Sequence, residues 1–580
     1  MSEVAAKFKE LNLFRSNTSD DDDYGEQIDF QTIGGAGHGS HKDDGHKQRL
    51  RISQALREFI VDRKILSKAD SGFGDEALTP ALQKWLGSSH IYVPPEFVDR
   101  SHPLPEYWIS SSHNTYLLAH QLYGSSSAEA YETAIKTGSR CVEIDAWDND
   151  DNPEEPKVTH GYTLVSNVPF RAVCETIRDC LDEEIATAQT DPSYSPTAIM
   201  ISLENHCNAQ GQMRLVEIMR EVWGDRMISK AVRDEGHREQ AGSGEHVTLQ
   251  ELGPRIAVIV EYHFAGEEED SDSDSDDETD QEEEKNARKE YKEKKKASGA
   301  AVIIPELAEI GVYAQSVKPI DNSWYDSDEL KDGPHHHLIN VSESGLSSHL
   351  PEQIIPISTH NSKHLMRVFP KGTRISSTNL KPTQYWGIGA QICALNWQRF
   401  GASNQLNHAL FAGSDGYVLK PPGLRMGGNG MITTGRKKKL ILHVAGATDI
   451  PLHEDREAES IKPYLTCTLF HPGLLGRDPP KRKTAFYKPH KIGFLHKGEN
   501  PVPTDPIWDE TLEWDYDDAE MTFLRMLIKS DDSWSRNPMF AVAAVRLQYV
   551  VSGWTFVPML DMKGHETKCT LLVKFEMVDA

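Results

Sequence analysis

His113 and Asn114 in SSSHNTYL, Glu143 and Asp145 in CVEIDAW, His160 in THGY, and Glu204 and Asn205 in AIMISLEN put imidazoles, amides and acids at the ends of apolar runs. Alone, SSSHNTYL reads as a polar turn, since Ser, Asn and Thr are ordinary loop residues. Glu143 and Asp145 stand at i and i+2 of a strand-like run, so their side chains point to one face. Two carboxylates on a buried face need a cation or hydrogen-bonded partners. A buried salt bridge is one solution. Calcium is another, because Asn114, Glu143, Asp145 and Glu204 offer oxygen and lack the nitrogen or sulfur that zinc favours. His113 and His160 then remain for proton transfer.

The elements that must carry these residues begin at about residue 101. CVEIDAW (141 to 147), AIMISLEN (198 to 205) and RIAVIVEY (255 to 262) predict strands buried on both faces, with short strands ahead of His113 and His160. AEAYETAIKTG (128 to 138), FRAVCETIRDCL (170 to 181) and QMRLVEIMREVWG (212 to 224) predict the helices between them, the first and third ending in Gly. The alternation resumes with HLINVSE (337 to 343), QICALNW (391 to 397) and GYVLK (416 to 420). The expected fold is α/β: about eight strands in a (β/α)8 barrel of the TIM type, with the polar residues at the strand ends where such barrels work.

An acidic run, EEEDSDSDSDDETDQEEE, and the basic KNARKEYKEKKK interrupt this pattern and predict a solvated insertion splitting one barrel. The expected organisation is 1–45 without a fold, 46–100 a small helical, degenerate EF-hand-like region, 101–266 and 301–430 the two barrel halves, and 267–300 the linker. Residues 436–580 alternate apolar and polar positions without long helices, which predicts an antiparallel β-sandwich. No complete calcium loop with its terminal glutamate occurs in the helical region.

The net charge of −27 argues against nucleic-acid binding, although 13 of the acids lie between Glu267 and Glu284. Seven scattered cysteines, odd in number and without a CxxC pair, suit a reducing compartment. No apolar run approaches the ~18 residues of a membrane span, and the start MSEVAAKFKELNLF lacks a signal core. A cytoplasmic protein that meets membranes peripherally is expected.

SSSHNTYL, SSAEAY, CVEID, HGYT and SLENHC, then LMRVFPKGTRISSTN, QICALNWQ and GYVLKPPGLR after the acidic run, resemble the X and Y halves of eukaryotic phosphoinositide-specific phospholipase C, followed as in that family by a C2-type sandwich. The resemblance implies that Ca²⁺ held by Asn114, Glu143, Asp145 and Glu204 acidifies the inositol 2-hydroxyl, which attacks the 1-phosphate. Glu143 would be the base, His113 would stabilise the transition state, and His160 would protonate the departing diacylglycerol oxygen. A cyclic inositol phosphate would then be hydrolysed in the same site. Leu122, Tyr162 and Leu164 match the family's membrane-inserting rim, and the substrate would be a phosphoinositide in a membrane surface. Glycerophosphodiester phosphodiesterase barrels share this logic but lack the Y-half motifs and the sandwich; a non-catalytic scaffold would have lost a histidine or a calcium ligand.

Several positions depart from the family pattern. Ile259 and Glu261 stand where two phosphate-holding lysines are usual, Asn340 stands for a Ser and Phe369 for a Tyr, while Arg367 is retained. Activity on phosphatidylinositol or its monophosphate at least equal to that on the bisphosphate is expected. In the sandwich Asp449, Asp455, Asp531 and Asp532 are available, but Lys462 and Pro538 replace favourable loop residues, so calcium binding there is not expected. No pleckstrin-homology domain is expected ahead of the barrel. The acidic linker is expected to repel an anionic membrane and so to restrain activity. The triple histidine 335–337 is expected to be incidental.

Overall fold

The computed structural model describes residues 25–34, 50–75, 77–118, 126–159, 167–233, 246–264, 302–319, 321–326, 330, 333–371, 374, 377–454, 456–474, 477–489, 500–531 and 538–580. His160, Leu122, Tyr162, Leu164, Asp455, Asp532 and the linker 267–300 lie outside the described residues.

Eight parallel strands follow one another around a ring in chain order: β1 (Tyr107–Ile109), β2 (Cys141–Trp147), β3 (Ile199–His206), β4 (Ile256–Tyr262), β5 (Gln315–Val317), β6 (His337–Ser342), β7 (Leu365–Phe369) and β8 (Ile392–Cys393). Ile109 pairs with Ile392, and a parallel bridge from Ser111 to Cys141 closes the ring. Strand parity explains the sequence pattern. Val142, Ile144, Ile201, Leu203, Val258, Val260, Ile339, Met366 and Val368 belong to the large core shared with the helices. Cys141, Met200, Ala257, Ile259, Leu338, Leu365, Ile392 and Ala394 fill the barrel's floor. Polar residues take the next inward layer, toward the strand C-termini. The helix Phe170–Thr190 runs well past the predicted stretch, and Gly224 ends helix Ala209–Trp223 at φ +51°.

Two expected barrel strands lie elsewhere. Lys157–Val158, ahead of His160, pairs antiparallel with β2, and Tyr417–Leu419 pairs antiparallel with β1. Their places in the ring are taken by β5 and β7. With three residues, β5 is too short to show a period of two.

The C-terminal sandwich has two four-stranded halves, antiparallel throughout and joined by the single pair Val542–Leu560. One half runs Lys481–Lys483, Pro463–Phe470, Phe523–Ser530, Met539–Arg546; the other runs Gly553–Leu560, Glu566–Asp579, Thr433–Thr448, Ile507–Ala519. Met521, Phe523 and Tyr549 extend the barrel core into the sandwich. At that junction the buried Arg546 donates to the Tyr549 hydroxyl at 2.7 Å and lies 4.9 Å from the Phe97 ring centroid. The helices Gln54–Asp62 and Pro80–Leu86 bury Leu56, Ile60 and Leu82 against Ala445, Phe556 and Leu572 of the sandwich. Arg51 bridges Asp449 and Asp505, so one of the candidate sandwich aspartates already carries a fixed cation.

Residues 25–34 depart from the expectation of no fold up to 45. They lie across barrel and sandwich, with Glu26 N–H donating to Met562 O at 2.8 Å and Phe400 N–H to Glu26 O at 3.0 Å. Ile28 and Ile33 pack on Phe400, Leu527, Val542, Leu560 and Met562. At Gly25 a Cβ would collide with the Phe400 backbone, so the close approach requires glycine. Two isoleucines in a polar stretch give no periodic signal.

Candidate active site

His113 and Asn114 follow β1 on a short segment, Ser112–His113, that pairs in parallel with Leu395–Asn396. Asn114 adopts φ +45°, a left-handed conformation that Asn tolerates better than most residues. That turn aims its N–H at Glu143 Oε2, 2.6 Å away. Glu143 and Asp145 rise from the inner face of β2, and the register Asp145–Glu204 sets Glu204 beside them on β3. The barrel thus gathers Asn114, Glu143, Asp145 and Glu204 at one mouth, with His113 Nε2 3.9 Å from Glu143 Oε2.

Arg367, only 1 % exposed, ties the centre together. Its Nη2 donates to Glu143 Oε1, its Nη1 to Asn340 Oδ1 at 3.1 Å, and Nη1 also lies 3.6 Å from Glu204. Phe369 lies beneath the guanidinium, 5.6 Å from ring centroid to Cζ. Burial opposes the charge on Arg367, but Glu143 and Glu204 outweigh it and hold the guanidinium above its ordinary value. In this arrangement Arg367 is foremost the counter-ion of the acidic centre.

Asp145 is the least satisfied group. Burial, and then the charges of Glu204 and Glu143, push its carboxyl well above the usual carboxylate range. The Tyr116 hydroxyl donates to its Oδ2 at 2.7 Å, while its buried Oδ1 has no hydrogen-bond partner. Burial and Glu143 also raise Glu204, against the pull of Arg367. Ligand atoms of Asp145, Glu204 and His206 lie within 4.8 Å of one another. An orphaned carboxylate oxygen inside a mainly oxygen donor set fits a hard divalent cation such as calcium.

These shifts predict a pH and metal signature. A carboxyl whose pKa is raised by folding contributes stability below its unfolded pKa, and that stability is lost as pH rises through the folded value. Without metal, the midpoint of thermal unfolding is therefore expected to fall from mildly acid to mildly alkaline pH, and calcium is expected to restore it most at the alkaline end. Asp145→Asn is expected to flatten the metal-free profile and to remove most of the calcium-induced rise. Thermal scans with calcium or chelator check this; an undiminished calcium shift in the variant would count against Asp145 as a ligand.

Three neighbours of the site carried no sequence signal of their own role. Asn396 accepts the His113 Nδ1 proton at 2.9 Å, and donation from its Nδ2 to Thr378 O at 2.7 Å fixes which amide atom faces the ring. Tyr116 hydrogen-bonds Asp145 and lies 3.2 Å from Asn114 Oδ1. His206 shares the strand face of Glu204 two residues on, the one regularity that could have found it; its ring stacks on Trp147 at 4.1 Å. Of the two substituted phosphate positions, Ile259 is buried in the floor, and Glu261 reaches the mouth beside β3, accepting from the Asn205 N–H at 3.2 Å.

Comparison with known proteins places this architecture. Residues 100–262 match the family described as Phosphatidylinositol-specific phospholipase C, X domain, and residues 307–423 match the corresponding Y domain. The 1-phosphatidylinositol 4,5-bisphosphate phosphodiesterase delta-3 of Mus musculus is 31% identical over 528 residues, covering 89% of this chain and 61% of that protein. The 1-phosphatidylinositol 4,5-bisphosphate phosphodiesterase of Dictyostelium discoideum is 28% identical, covering 83% of this chain and 60% of that one. The chain thus spans about 60% of the length of these relatives. A crystal structure of PLC21 from L. pealei shares the fold, with a TM-score of 0.68 at 23% identity over 90% of this chain and 62% of that one. The chain belongs to the phosphoinositide-specific phospholipase C family.

Proposed function

We propose that this chain is a calcium-dependent phospholipase C that cleaves phosphatidylinositol or its phosphates to diacylglycerol and inositol phosphates through a cyclic 1,2-phosphate. The convergence of His113, Asn114, Glu143, Asp145 and Glu204 at one barrel mouth carries this reading. Calcium, when held by Asn114, Glu143, Asp145 and Glu204, supplies positive charge that acidifies the inositol 2-hydroxyl and offsets charge on phosphorus. Glu143 takes the 2-hydroxyl proton while Arg367 and the Asn114 N–H keep its carboxylate in place. His113 presents Nε2 to the phosphoryl oxygens, and His160 protonates the leaving diacylglycerol oxygen and later activates the water that opens the cyclic ester. The resemblance assigns contact with the lipid to Leu122, Tyr162 and Leu164, and on this reading the protein works in the cytoplasm, peripheral to a membrane. Among the described residues no helix is long and apolar enough to cross one.

Headgroup choice follows from the mouth's charge. The 4- and 5-phosphates would approach Glu261 where other members of the family present lysine, and like charges in a partly dry site repel strongly. Hydrolysis of phosphatidylinositol and its monophosphate is therefore expected to equal or exceed that of the bisphosphate. Glu261→Lys is expected to shift the preference toward the bisphosphate by about tenfold, some 1.4 kcal/mol. Vesicle hydrolysis of the three lipids across a calcium titration tests both points, with His113→Ala as control. A clear preference of the unaltered chain for the bisphosphate sinks the headgroup reading, and calcium-independent turnover sinks the mechanism.

A further inference from the structure

Above the carboxylates, the barrel mouth carries one more layer of side chains, which the calcium ligand set does not use. On β2 and β3 the cross-strand pair Trp147–His206 lies two residues beyond the pair Asp145–Glu204, so all four side chains share the inner face. The His206 ring stacks on Trp147 with centroids 4.1 Å apart and planes inclined by 17°, which fixes where the imidazole stands. One ligand atom from each of Asp145, Glu204 and His206 lies within 4.8 Å of the others, and among the described residues no other group of three His, Cys, Asp or Glu side chains comes so close.

Hydrogen bonds divide the donors of the mouth into two groups. Glu143 has both oxygens engaged, Oε2 by the Asn114 N–H at 2.6 Å and Oε1 by Arg367 Nη2. Asp145 differs: only 6 % of it is exposed, the Tyr116 hydroxyl donates to Oδ2, and the buried Oδ1 has no hydrogen-bond partner. Arg367 approaches Glu204 only to 3.6 Å, too far for a hydrogen bond, so this carboxylate can swing toward His206. Two carboxylate oxygens and one imidazole nitrogen can make an open zinc site, with three protein ligands and a position left for water. At metal–ligand distances of ~2.0–2.2 Å the donor atoms would stand about 3.4 Å apart, a closure that the swing of Glu204 supplies. Calcium, which seeks oxygen, gains little from the nitrogen.

We propose that Asp145, Glu204 and His206 form a second donor set at the barrel mouth that takes zinc or a like transition-metal dication, and that this ion and calcium exclude each other because both need Asp145 and Glu204. Charge enforces the exclusion. Glu143, Asp145 and Glu204 bring three negative charges and Arg367 offsets one, which leaves two, matched by a single dication. A second dication a few ångströms away would meet repulsion with no carboxylate left to offset it. His206 is then the selecting residue, since its nitrogen adds to the affinity for zinc and not to that for calcium. The regulatory consequence rests on the calcium-dependent phospholipase reading: zinc would occupy the mouth without Asn114 and Glu143, and hydrolysis would stop until calcium displaced it.

The test uses the full chain, stripped with chelator and loaded with terbium, a luminescent ion that shares calcium's preference for oxygen. The part of the tryptophan-sensitised emission that Asp145→Asn abolishes reports the mouth. Zinc is expected to extinguish that part by displacement, and in His206→Gln the ratio of zinc to terbium affinity is expected to fall by on the order of 100-fold. An unchanged ratio overturns the role of His206, and zinc that leaves the mouth's terbium in place overturns the exclusion. Should the variant fail to fold, carbethoxylation of the wild type with peptide mapping decides: zinc is expected to protect His206 and calcium is not, and labelling alike with both overturns the proposal. Neither readout needs turnover, so displacement in a chain that hydrolyses no lipid sinks the phospholipase reading alone. Where lipid is hydrolysed, zinc is expected to inhibit and added calcium to relieve it; hydrolysis unaffected by zinc that has emptied the mouth of terbium overturns the regulatory consequence.

Discussion

Replacing His113 with alanine is expected to slow vesicle hydrolysis by on the order of 10³-fold while calcium affinity and the thermal midpoint stay close to those of the unaltered chain. The size of the effect follows from how the ring is held. Burial, and after it the charge of Arg367, pushes the His113 pKa down to about 4, so the free protein presents a neutral imidazole. Asn396 Oδ1 takes the Nδ1 proton, and its own amide is locked by Thr378. Nε2 is therefore a lone pair in the free protein, and the anionic phosphoryl group favours uptake of a solvent proton there, which gives the ring an Nε2–H to donate to the transition state. Alanine removes that donor and leaves the carboxylates untouched. Asn396→Ala is expected to lose less, because it frees the ring without deleting it. Initial rates on phosphatidylinositol vesicles, with calcium titrated for each variant, measure the split between turnover and metal binding. Retention of a tenth or more of the activity in His113→Ala would place the stabilisation of phosphoryl charge elsewhere.

The second large effect is expected on stability. Arg367→Met should cost the calcium-free protein ~3–5 kcal/mol, the usual loss when one partner of a buried ion pair is removed. Glu143 would be left buried beside Asp145 and Glu204 with no guanidinium to offset it. The sign with pH follows from the carboxyls. With the counter-ion gone they bind protons more readily when folded, so the deficit is largest at alkaline pH and shrinks as pH falls. Calcium supplies the missing positive charge and is expected to recover part of the loss. Chemical denaturation with chelator and with calcium measures both terms. An unchanged midpoint in chelator would mean that Arg367 is not what holds the acidic centre together.

Local pattern made much of this protein legible. The strands around CVEIDAW, AIMISLEN and RIAVIVEY are long enough for an apolar period to show, and polar residues at their ends stand out because a buried strand otherwise carries none. The order of these motifs, and the acidic run between them, gave one split barrel followed by a sandwich. The chain by itself also placed Glu143 and Asp145 on one face, since parity along a strand needs no partner.

Tertiary structure decided the rest, because it depends on residues far apart in the chain. Arg367 meets Glu143 across 224 positions, and Asn396 meets His113 across 283. No spacing rule reaches so far; only ring closure brings β7 and β8 back to the first strands. The brief strand β5 and the docking of residues 25–34 escaped for the same reason, being held by what they pack against rather than by any periodicity of their own. The run His335–His337 is the plainest case: the ring that His337 meets is that of His360, 23 residues beyond the run, and only folding brings the two together.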